Sequence, residues 1–406
     1  MLEHLKGGAG LRRFSSEFKS FLQKGDMVLL ILCLIATAFG CLVIASTTQT
    51  MSDAARYVPT QIAATVLGVL LFAVISSIDA DLFSEHRVWL VVFNVFLLLL
   101  LIPFGTDNGT GNKSWLDIPL VPVDIQPAEI CKIAFVLVLA SVMGARQNQI
   151  SRLPSVLHIA FHLILIVGLN MLLSRDMGVS LIFVFICFGM AIAGGVSWLW
   201  FLLLGGGIVV SFPLVWNFVF SAYQRNRIEV LFNPDLDPHG IGARYHTVRA
   251  LRSLTGGGLT GQGLFNGIRT QTPEALYAQH TDYIFSAIGE ELGFLGCLFV
   301  IILLFAIIAR CIWVGIKSPD YTRRMICFGS AAALIFQVIS NVGMNIGLTP
   351  VIGLTLPFIS YGGSSLISLY AMLGLVSGVH ARPAPTSQER YIRPPLKDHS
   401  IYSRGA

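Results

Sequence analysis

The sequence has few charged residues for its length. Only 12% of its 406 residues are Asp, Glu, Lys or Arg, whereas soluble domains carry about 25%. Hydrophobic residues make up 54% and the mean hydropathy is +0.74. Too few polar side chains are present to cover a water-facing surface of this size. This composition excludes an ordinary soluble domain and suits a protein whose solvent is the lipid bilayer.

The chain also lacks a concentrated basic stripe, a metal-type cysteine pattern and a cleavable signal peptide. Its net charge of +5 is spread over the gaps between apolar runs, which indicates membrane topology and excludes a nucleic-acid partner. The seven cysteines lie in or beside apolar runs without metal-ligand spacing, so we expect buried thiols. The first apolar run begins near Met27 and is long enough to span a bilayer, which predicts a retained anchor.

Long apolar runs dominate the chain. A transmembrane helix needs about 20 apolar residues. We therefore predict an all-α polytopic membrane protein of about ten transmembrane helices, with an N-terminal arm (1–26), a membrane domain (27–381) and a C-terminal tail (382–406). The predicted spans are 27–46, 58–78, 88–104, 127–143, 155–173, 178–195, 197–220, 284–309, 325–347 and 360–381.

Lys and Arg residues in the gaps predict the orientation, because cytoplasmic loops are enriched in them. The basic gaps alternate along the chain, and the short gaps on the opposite side hold only Arg56, Lys113 and Arg175. Both tails are therefore expected in the cytoplasm, and residues 221–283 form a large extracytoplasmic loop between helices 7 and 8. The residues that set this orientation are Lys6, Arg12, Arg13, Lys19, Lys24, Arg146, Arg152, Arg310, Lys317, Arg323, Arg324, Arg382, Arg390, Arg393, Lys397 and Arg404.

Polar groups beside the fourth and sixth predicted spans are candidate site residues. Glu129 and Lys132 share a helical face, and they either lock the helix as an ion pair or form a polar cavity wall. Trp115 is either an interfacial belt residue or a wall for a sugar or lipid. Asp176 follows Arg175 in a short turn and suits the N-cap of the next helix.

The large loop contains two arginines, a glycine run and an aspartate. Arg225 and Arg227 either grip phosphate groups by bidentate hydrogen bonds or contact lipid headgroups. The run 255–263 has the glycines of a phosphate cradle, but no strand signal precedes it. Asp282 lies where the loop meets the eighth span, so it either caps that helix or accepts a proton from a hydroxyl.

A polar and glycine-rich stretch at 341–365 interrupts the last apolar runs. Irregular backbone at membrane depth is tolerated only inside protein or beside a wet cavity. This stretch therefore either lines a cavity or allows close packing of helices through small residues.

Several of these stretches together resemble the SEDS family of bacterial shape, elongation, division and sporulation proteins. The resemblance is carried by Pro357-Phe-Ile-Ser-Tyr-Gly-Gly-Ser-Ser365 with the preceding Gly347–Gly353, and it covers about residues 27–380. Further matching motifs, in the same order along the chain, are Gln126-Pro-Ala-Glu129, Asp176-Met-Gly178, Tyr223-Gln-Arg-Asn-Arg-Ile228, Asp237-Pro238, Tyr245-His246, His280-Thr-Asp-Tyr-Ile-Phe285 and Ile288-Gly-Glu-Glu-Leu-Gly293.

The resemblance implies a ten-span peptidoglycan glycosyltransferase of the bacterial cytoplasmic membrane, embedded among membrane lipids. Its substrates would be lipid II and a polyprenyl-pyrophosphate-linked glycan, and its partner a class B penicillin-binding protein. Asp282 corresponds to the essential aspartate of the His-Thr-Asp motif. The residues expected to bind substrate are Trp115, Glu129, Lys132, Arg225, Arg227, His280, Tyr361 and Ser364.

The expected reaction is an inverting glycosyl transfer with Asp282 as its base. Arg225, Arg227 or a divalent cation, Mg²⁺ or Mn²⁺, would neutralise the leaving pyrophosphate. The chain departs from the family pattern at Ser114-Trp115, at Ser174–Val179, at Arg249 and Arg252, and at Leu276-Tyr-Ala-Gln279, which leaves the substrate contacts open. A lipid II flippase and a non-catalytic cell-wall scaffold are the alternative functions.

Overall fold

The computed structural model describes residues 24–79, 82, 86–106, 112–117, 125–238, 240–242, 244–273 and 275–382. The predicted arms therefore lie mostly outside the described residues. Within these ranges the regular secondary structure is helical, apart from one two-stranded ribbon. The helices are α1 Met27–Thr48, α2 Ala54–Ser77, α3 Arg87–Leu99, α4 Leu101–Phe104, α5 Pro127–Ala145, α6 Leu153–Leu173, α7 Met177–Ala193, α8 Trp198–Leu214, α9 Ala222–Phe232, α10 Tyr245–Gly256, α11 Ile284–Lys317, α12 Tyr321–Asn345 and α13 Gly363–Ala381.

The ten predicted spans correspond to ten apolar helical segments. Nine segments are long and apolar enough to cross a membrane, with α3 and α4 counted together, and Met177–Ala193 is a shorter apolar helix. The prediction of about ten transmembrane helices is therefore confirmed. The residues between α8 and α11 form the expected large connection, which contains α9 and α10.

The first and last spanning helices are tied together where the described chain begins and ends. The Asp26 carboxylate forms an ion pair with Arg310 of α11, with 2.8 Å between Oδ2 and Nε. The Asp26 amide donates to Ser377 Oγ of α13 at 3.0 Å, and Ser377 Oγ lies 2.8 Å from Ser76 Oγ of α2. We call this end of the bundle the terminal face. The opposite end, which carries the large connection, is the loop face.

This network predicts a large stability effect for one substitution. Asp26 is 1% exposed, so Asp26→Ala leaves Arg310 without its carboxylate in a partly buried position. Removing one partner of a buried ion pair costs about 3–5 kcal/mol. We expect a clear fall in the melting temperature of the purified protein. Asp53→Ala is the matched control, because the Asp53 side chain makes no capping hydrogen bond to α2; equal melting of the two variants would contradict the role of Asp26.

Helices α2 and α13 pack closely because glycines remove side chains from their contact. A Cβ added to Gly68 would lie 2.7 Å from Tyr370 Cδ2, and one added to Gly374 would lie 2.9 Å from the carbonyl oxygen of Phe72. Small residues are the usual means of bringing membrane helices together. Helix α8, in contrast, has no buried residue, so its apolar surface faces outward into the membrane.

Helix α11 corrects the prediction for the eighth span, which was drawn as one helix over 284–309. Its 34 residues would extend about 51 Å as one straight helix, whereas the bilayer core is about 30 Å thick. Gly293 breaks the helix with φ of 69° and ψ of −164°. The segment before this break is a short half-helix that carries the residues following Asp282.

The glycine run 255–263 of the large connection supplies hydrogen bonds to the backbone at this break. The carbonyl oxygens of Glu290 and Glu291 accept hydrogen bonds from the amides of Gln262 at 3.0 Å and Gly263 at 2.9 Å. Gly261, with φ of 80°, lies so close that an added Cβ would stand 2.1 Å from the Glu291 carbonyl oxygen. The run therefore contacts protein backbone, and the structure does not use it as a phosphate cradle.

Candidate active site

Asp282 occupies a short non-helical segment at the loop face, immediately before α11. The N-cap of α11 is Tyr283 and makes no side-chain capping bond, so Asp282 is not a capping residue. Its carbonyl oxygen accepts hydrogen bonds from Nδ2 of Asn341 and Nδ2 of Asn345, both at 3.0 Å. The main chain of Asp282 is thus held by the end of α12.

The polar stretch 341–365 holds the two residues before Asp282 in the same way. Ser360 Oγ donates to the Thr281 carbonyl oxygen at 2.6 Å, and the Tyr361 amide donates to the His280 carbonyl oxygen at 2.9 Å. Gln61 Nε2 of α2 donates to the Ser360 carbonyl oxygen at 3.1 Å. The motifs His280–Phe285 and Pro357–Ser365 are therefore one hydrogen-bonded unit. The tenth spanning helix consequently begins at Gly363, three residues later than predicted.

The Asp282 carboxylate faces Gly353 and retains partial exposure. A Cβ added to Gly353 would lie 3.7 Å from Asp282 Oδ2. Burial, and secondarily the negative charge of Asp176, raise the pKa of Asp282 to about 6. A carboxylate with this pKa is ionised at neutral pH and still accepts a proton readily.

The prediction that Asp176 is the N-cap of α7 is confirmed. Its Oδ1 accepts the Val179 amide at 3.1 Å, while Oδ2 accepts from Gln126 Nε2 at 3.2 Å and Ser114 Oγ at 3.5 Å. Burial raises the pKa of Asp176. This residue therefore connects the Asp282 site to the segments that precede α5 and α7.

Trp115 lies in the ribbon formed by β1 Gly105–Thr106 and β2 Trp115–Leu116. It pairs with Thr106, and its neighbour Ser114 donates to Asp176. Through Ser114 the ribbon segment thus contacts Asp176, the carboxylate whose negative charge raises the pKa of Asp282. The role of Trp115 as a wall for substrate remains a prediction.

Glu129 and Lys132 form the predicted ion pair, with 2.8 Å between Oε2 and Nζ. Both residues are buried, and Ser368 Oγ of α13 donates to Glu129 Oε2 at 2.8 Å. The pair therefore joins α5 to α13 beneath the site. Its contact with substrate remains a prediction.

His280, Tyr361 and Tyr57 form an aromatic group beside Asp282. The ring centroid of Tyr57 lies 4.9 Å from the ring centroid of His280 and 5.0 Å from that of Tyr361. Burial lowers the pKa of His280 to about 4, so its imidazole is neutral at physiological pH. Ser364 lies nearby in the chain, at the start of α13. Sequence reasoning missed Tyr57, which carries no motif and reaches the site only through the packing of α2.

The two arginines of α9 occupy different surroundings. Arg227 Nη1 donates to the Val351 carbonyl oxygen at 3.2 Å and lines a cavity of about 170 Å³. Arg225 is not among the lining residues, because residues two apart on a helix point to different sides. Gly347, Pro350 and Val351 also line this cavity, which confirms the cavity-lining interpretation of the stretch 341–365.

Known proteins match the chain over most of its length. The sequence model of the FtsW/RodA/SpoVE family, described as a cell cycle protein, matches residues 26–384. A probable peptidoglycan glycosyltransferase FtsW of Trichlorobacter lovleyi is 33% identical over 371 residues, covering 88% of this chain and 94% of the relative. The peptidoglycan glycosyltransferase MrdB of Escherichia coli K12 is 32% identical over 319 residues, covering 77% and 83%.

Solved structures share the fold. A chain from a study of a peptidoglycan synthase complex that coordinates polymerization and crosslinking matches with a TM-score of 0.73 and 28% identity, covering 90% of this chain and 98% of that one. The crystal structure of the rod shape determining protein RodA of Thermus thermophilus matches with a TM-score of 0.64 and 28% identity, covering 88% and 96%. The chain belongs to the FtsW/RodA/SpoVE family, the SEDS family that its motifs resemble.

Proposed function

We propose that this protein is a peptidoglycan glycosyltransferase that polymerises lipid II at the outer face of the bacterial cytoplasmic membrane. The observation that carries the proposal is the partly exposed Asp282 carboxylate, whose pKa is raised to about 6. Its main chain is fixed by Asn341 and Asn345. A positioned general base must combine fixed geometry with a suitable pKa, and Asp282 combines both. The relatives named peptidoglycan glycosyltransferases support the same reaction class.

In the proposed reaction, Asp282 removes the proton from the sugar 4-hydroxyl of an incoming lipid II. The hydroxyl oxygen forms a bond to the anomeric carbon of the growing chain. The bond from that carbon to the lipid pyrophosphate breaks, and its electron pair leaves with the phosphate oxygen. A single displacement inverts the anomeric centre, so one base suffices. Arg227 neutralises charge on the leaving group.

The orientation follows from this proposal and from the basic gaps of the sequence. Both termini lie in the cytoplasm, and the loop face with Asp282 lies outside. The apolar outer surface of α8 borders the lipid that surrounds the polyprenyl tails of both substrates. A class B penicillin-binding protein supplies cross-linking, in line with the synthase complex whose chain shares this fold.

A divalent cation, Mg²⁺ or Mn²⁺, is part of the same proposal. Mg²⁺ is commonly held by one or two carboxylates together with substrate phosphates. No group of three or more His, Cys, Asp or Glu side chains among the described residues could hold such an ion, so Asp176 together with the substrate pyrophosphate would hold it, and Asp282 remains the base. When bound, the ion would add positive charge beside the pyrophosphate.

The test is purified full-length protein in nanodiscs with labelled lipid II, with and without a class B partner. We expect glycan polymer whose formation needs no translocation of lipid II between leaflets. Translocation without polymer would instead establish a flippase. Restoration of growth by an Asp282→Ala variant in a depleted strain would establish a scaffold.

The pH dependence of polymerisation provides a separate prediction. Asp282 acts as a base only when deprotonated, so activity is full above its pKa of about 6 and falls about tenfold per pH unit below it. His280, with a pKa of about 4, does not titrate in that range. Asp176→Asn keeps a good N-cap and removes a neighbouring negative charge. We expect this variant to move the acidic limb of the rate profile to lower pH. An unchanged limb would show that the charge of Asp176 does not raise the pKa of Asp282.

A further inference from the structure

Two consecutive glutamates lie inside the protein at the end of the half-helix that precedes the break in α11. Glu290 is 0% exposed and Glu291 is 1% exposed, and the proposed reaction uses neither. Both side chains contact one turn of the large connection, since a Cβ added to Gly267 would lie 3.4 Å from Glu290 Cγ and 3.0 Å from Glu291 Cγ. Buried charges in proteins are paired or bind metal ions, so this pair of carboxylates requires a source of positive charge.

The side chains around Glu291 are neutral. Ser46 Oγ donates to its two carboxylate oxygens at 2.7 and 2.6 Å, and Thr270 Oγ1 donates to Oε1 at 2.6 Å. The Phe265 amide donates to Oε2 at 3.3 Å. The ion pairs of the described chain join other residues. The carbonyl end of the half-helix adds further negative potential, because helix C-termini carry partial negative charge.

Two buried oxygen atoms near this pair accept no hydrogen bond in the described part of the chain. Glu290 Oε1 accepts the Arg269 amide, whereas Glu290 Oε2 is buried without a partner. Gln279 is 4% exposed, and its Oε1 is also buried without a partner. Its Nε2 donates to the carbonyl oxygens of Thr47 at 2.6 Å and Thr270 at 2.9 Å, which fixes the orientation of the amide. Buried acceptors that lack donors indicate a bound water or ion.

Thr270 connects the unpaired amide oxygen to the carboxylates. Its Oγ1 donates to Glu291, its carbonyl oxygen accepts from Gln279, and a Cβ at Gly267 would lie 2.2 Å from Oγ1. The oxygens of Glu290, Glu291 and Gln279 therefore surround the turn 267–270. Such a set of carboxylate and amide oxygens suits a hard cation.

The irregular backbone at the break favours Ca²⁺ over Mg²⁺. Ca²⁺ takes six to eight oxygen ligands in a flexible geometry, whereas Mg²⁺ demands a nearly ideal octahedron. In other membrane proteins, unwound carbonyl groups and the C-terminal ends of half-helices coordinate cations. The half-helix before Gly293 ends in the same manner, with non-helical backbone at that glycine.

We propose that Glu290 and Glu291 bind one Ca²⁺ ion at the break of α11, with Gln279 Oε1 as a neutral ligand. The ion ties the half-helix, which begins two residues after Asp282, to the outer end of α1 through Ser46. It is separate from the cation of the proposed reaction, because it needs neither Asp176 nor a substrate phosphate. The inference does not depend on the proposed function.

The test measures binding of radioactive Ca²⁺ to full-length protein in phosphatidylcholine nanodiscs without lipid II, by equilibrium dialysis. We expect one saturable site per chain, with a Kd of about 10⁻⁴ M or below. Glu290→Gln should weaken binding at least about tenfold, because ligand charge sets the affinity of such sites. Glu229→Gln is the matched control, since Glu229 is exposed on α9 of the same connection. Absence of saturable binding to the wild-type protein would overturn the proposal.

Melting temperatures give a second readout that uses the same variants. Ca²⁺ should raise the melting temperature of the wild type and of Glu229→Gln by at least about 2 °C over that in EGTA, and it should not raise that of Glu290→Gln. In EGTA, Glu290→Gln should melt at the wild-type temperature or above, because it removes one uncompensated buried charge. An equal effect of Ca²⁺ on Glu290→Gln and on the wild type would contradict the assignment.

The Asp176→Asn variant separates this ion from that of the proposed reaction. It should bind Ca²⁺ with wild-type affinity in the absence of lipid II. Loss of binding in Asp176→Asn together with wild-type binding in Glu290→Gln would place the ion at the reaction site and overturn this proposal. Saturable binding that requires Glu290, in a protein that forms no polymer, would remove the proposed function and leave the Ca²⁺ site standing.

Discussion

Replacing Asp282 by Asn should abolish glycan polymerisation while the protein remains folded. A general base contributes about 10²–10⁴-fold to a rate, so we expect kcat to fall by that factor. The Asn341 and Asn345 side chains hold Asp282 through its main-chain carbonyl oxygen, and an Asn substitution leaves that oxygen in place. The measurement is the rate of polymer formation from labelled lipid II.

The stability of this variant distinguishes a catalytic from a structural carboxylate. The pKa of Asp282 is raised above its ordinary value, so the ionised side chain is less favourable in the folded protein than in the unfolded chain. The contribution of Asp282 to the free energy of unfolding is largest below the pKa that this residue has in the unfolded chain. It is lost as the pH rises through its folded-state pKa of about 6. At pH 7.5 the neutral Asn variant should therefore melt at the same temperature as the wild type or higher. A lower melting temperature with partial activity would contradict the assignment.

Breaking the Glu129–Lys132 pair should destabilise the protein more than any surface change. Lys132 is 1% exposed and Glu129 4%, so Glu129→Ala leaves a buried ammonium group without its carboxylate. The expected cost is about 3–5 kcal/mol, measured by thermal or denaturant unfolding in detergent. Asp53→Ala is the matched control, because Asp53 is exposed and its side chain makes no capping hydrogen bond to α2. Exposed carboxylates of this kind contribute about 1 kcal/mol or less.

A double substitution separates the structural part of this pair from a catalytic part. Glu129→Leu combined with Lys132→Met removes both charges, and such apolar replacements of buried pairs are often neutral or stabilising. We expect the double variant to recover wild-type stability but to polymerise lipid II at least about tenfold more slowly, if the pair acts electrostatically on substrate. Recovery of both stability and activity would restrict the pair to joining α5 and α13.

The sequence predicted the spanning helices well because bilayer thickness imposes a simple length and composition rule. It placed α1 within two residues at its far end and identified the connection between α8 and α11. It failed at α11 because apolar composition continues through Gly293, and only the positive φ of that glycine breaks the helix. It also placed the start of α13 too early, because the Tyr361 amide donates to the His280 carbonyl oxygen and Gly362, whose amide donates to Gln61 Oε1, is the N-cap of the helix.

The candidate site was predictable in part. Motif residues pointed to Asp282, His280 and Tyr361, which the structure brings together. Tyr57 gave no signal, since it lies one residue before the second predicted span and belongs to no motif. Arg225 and Arg227 were indistinguishable in the sequence, and the direction of each side chain from α9 places only Arg227 at the cavity.

The sequence by itself determined that this chain is a membrane protein of about ten helices, and its motifs indicated its family. Those properties depend on local composition and on the order of residues, which the chain carries without folding. Only the tertiary structure decided that Asp282 is partly buried near Asp176, and that Arg227 and the stretch 347–351 line one cavity. A pKa and a binding volume arise from groups that are distant in the chain and adjacent in space, and packing alone brings such groups together.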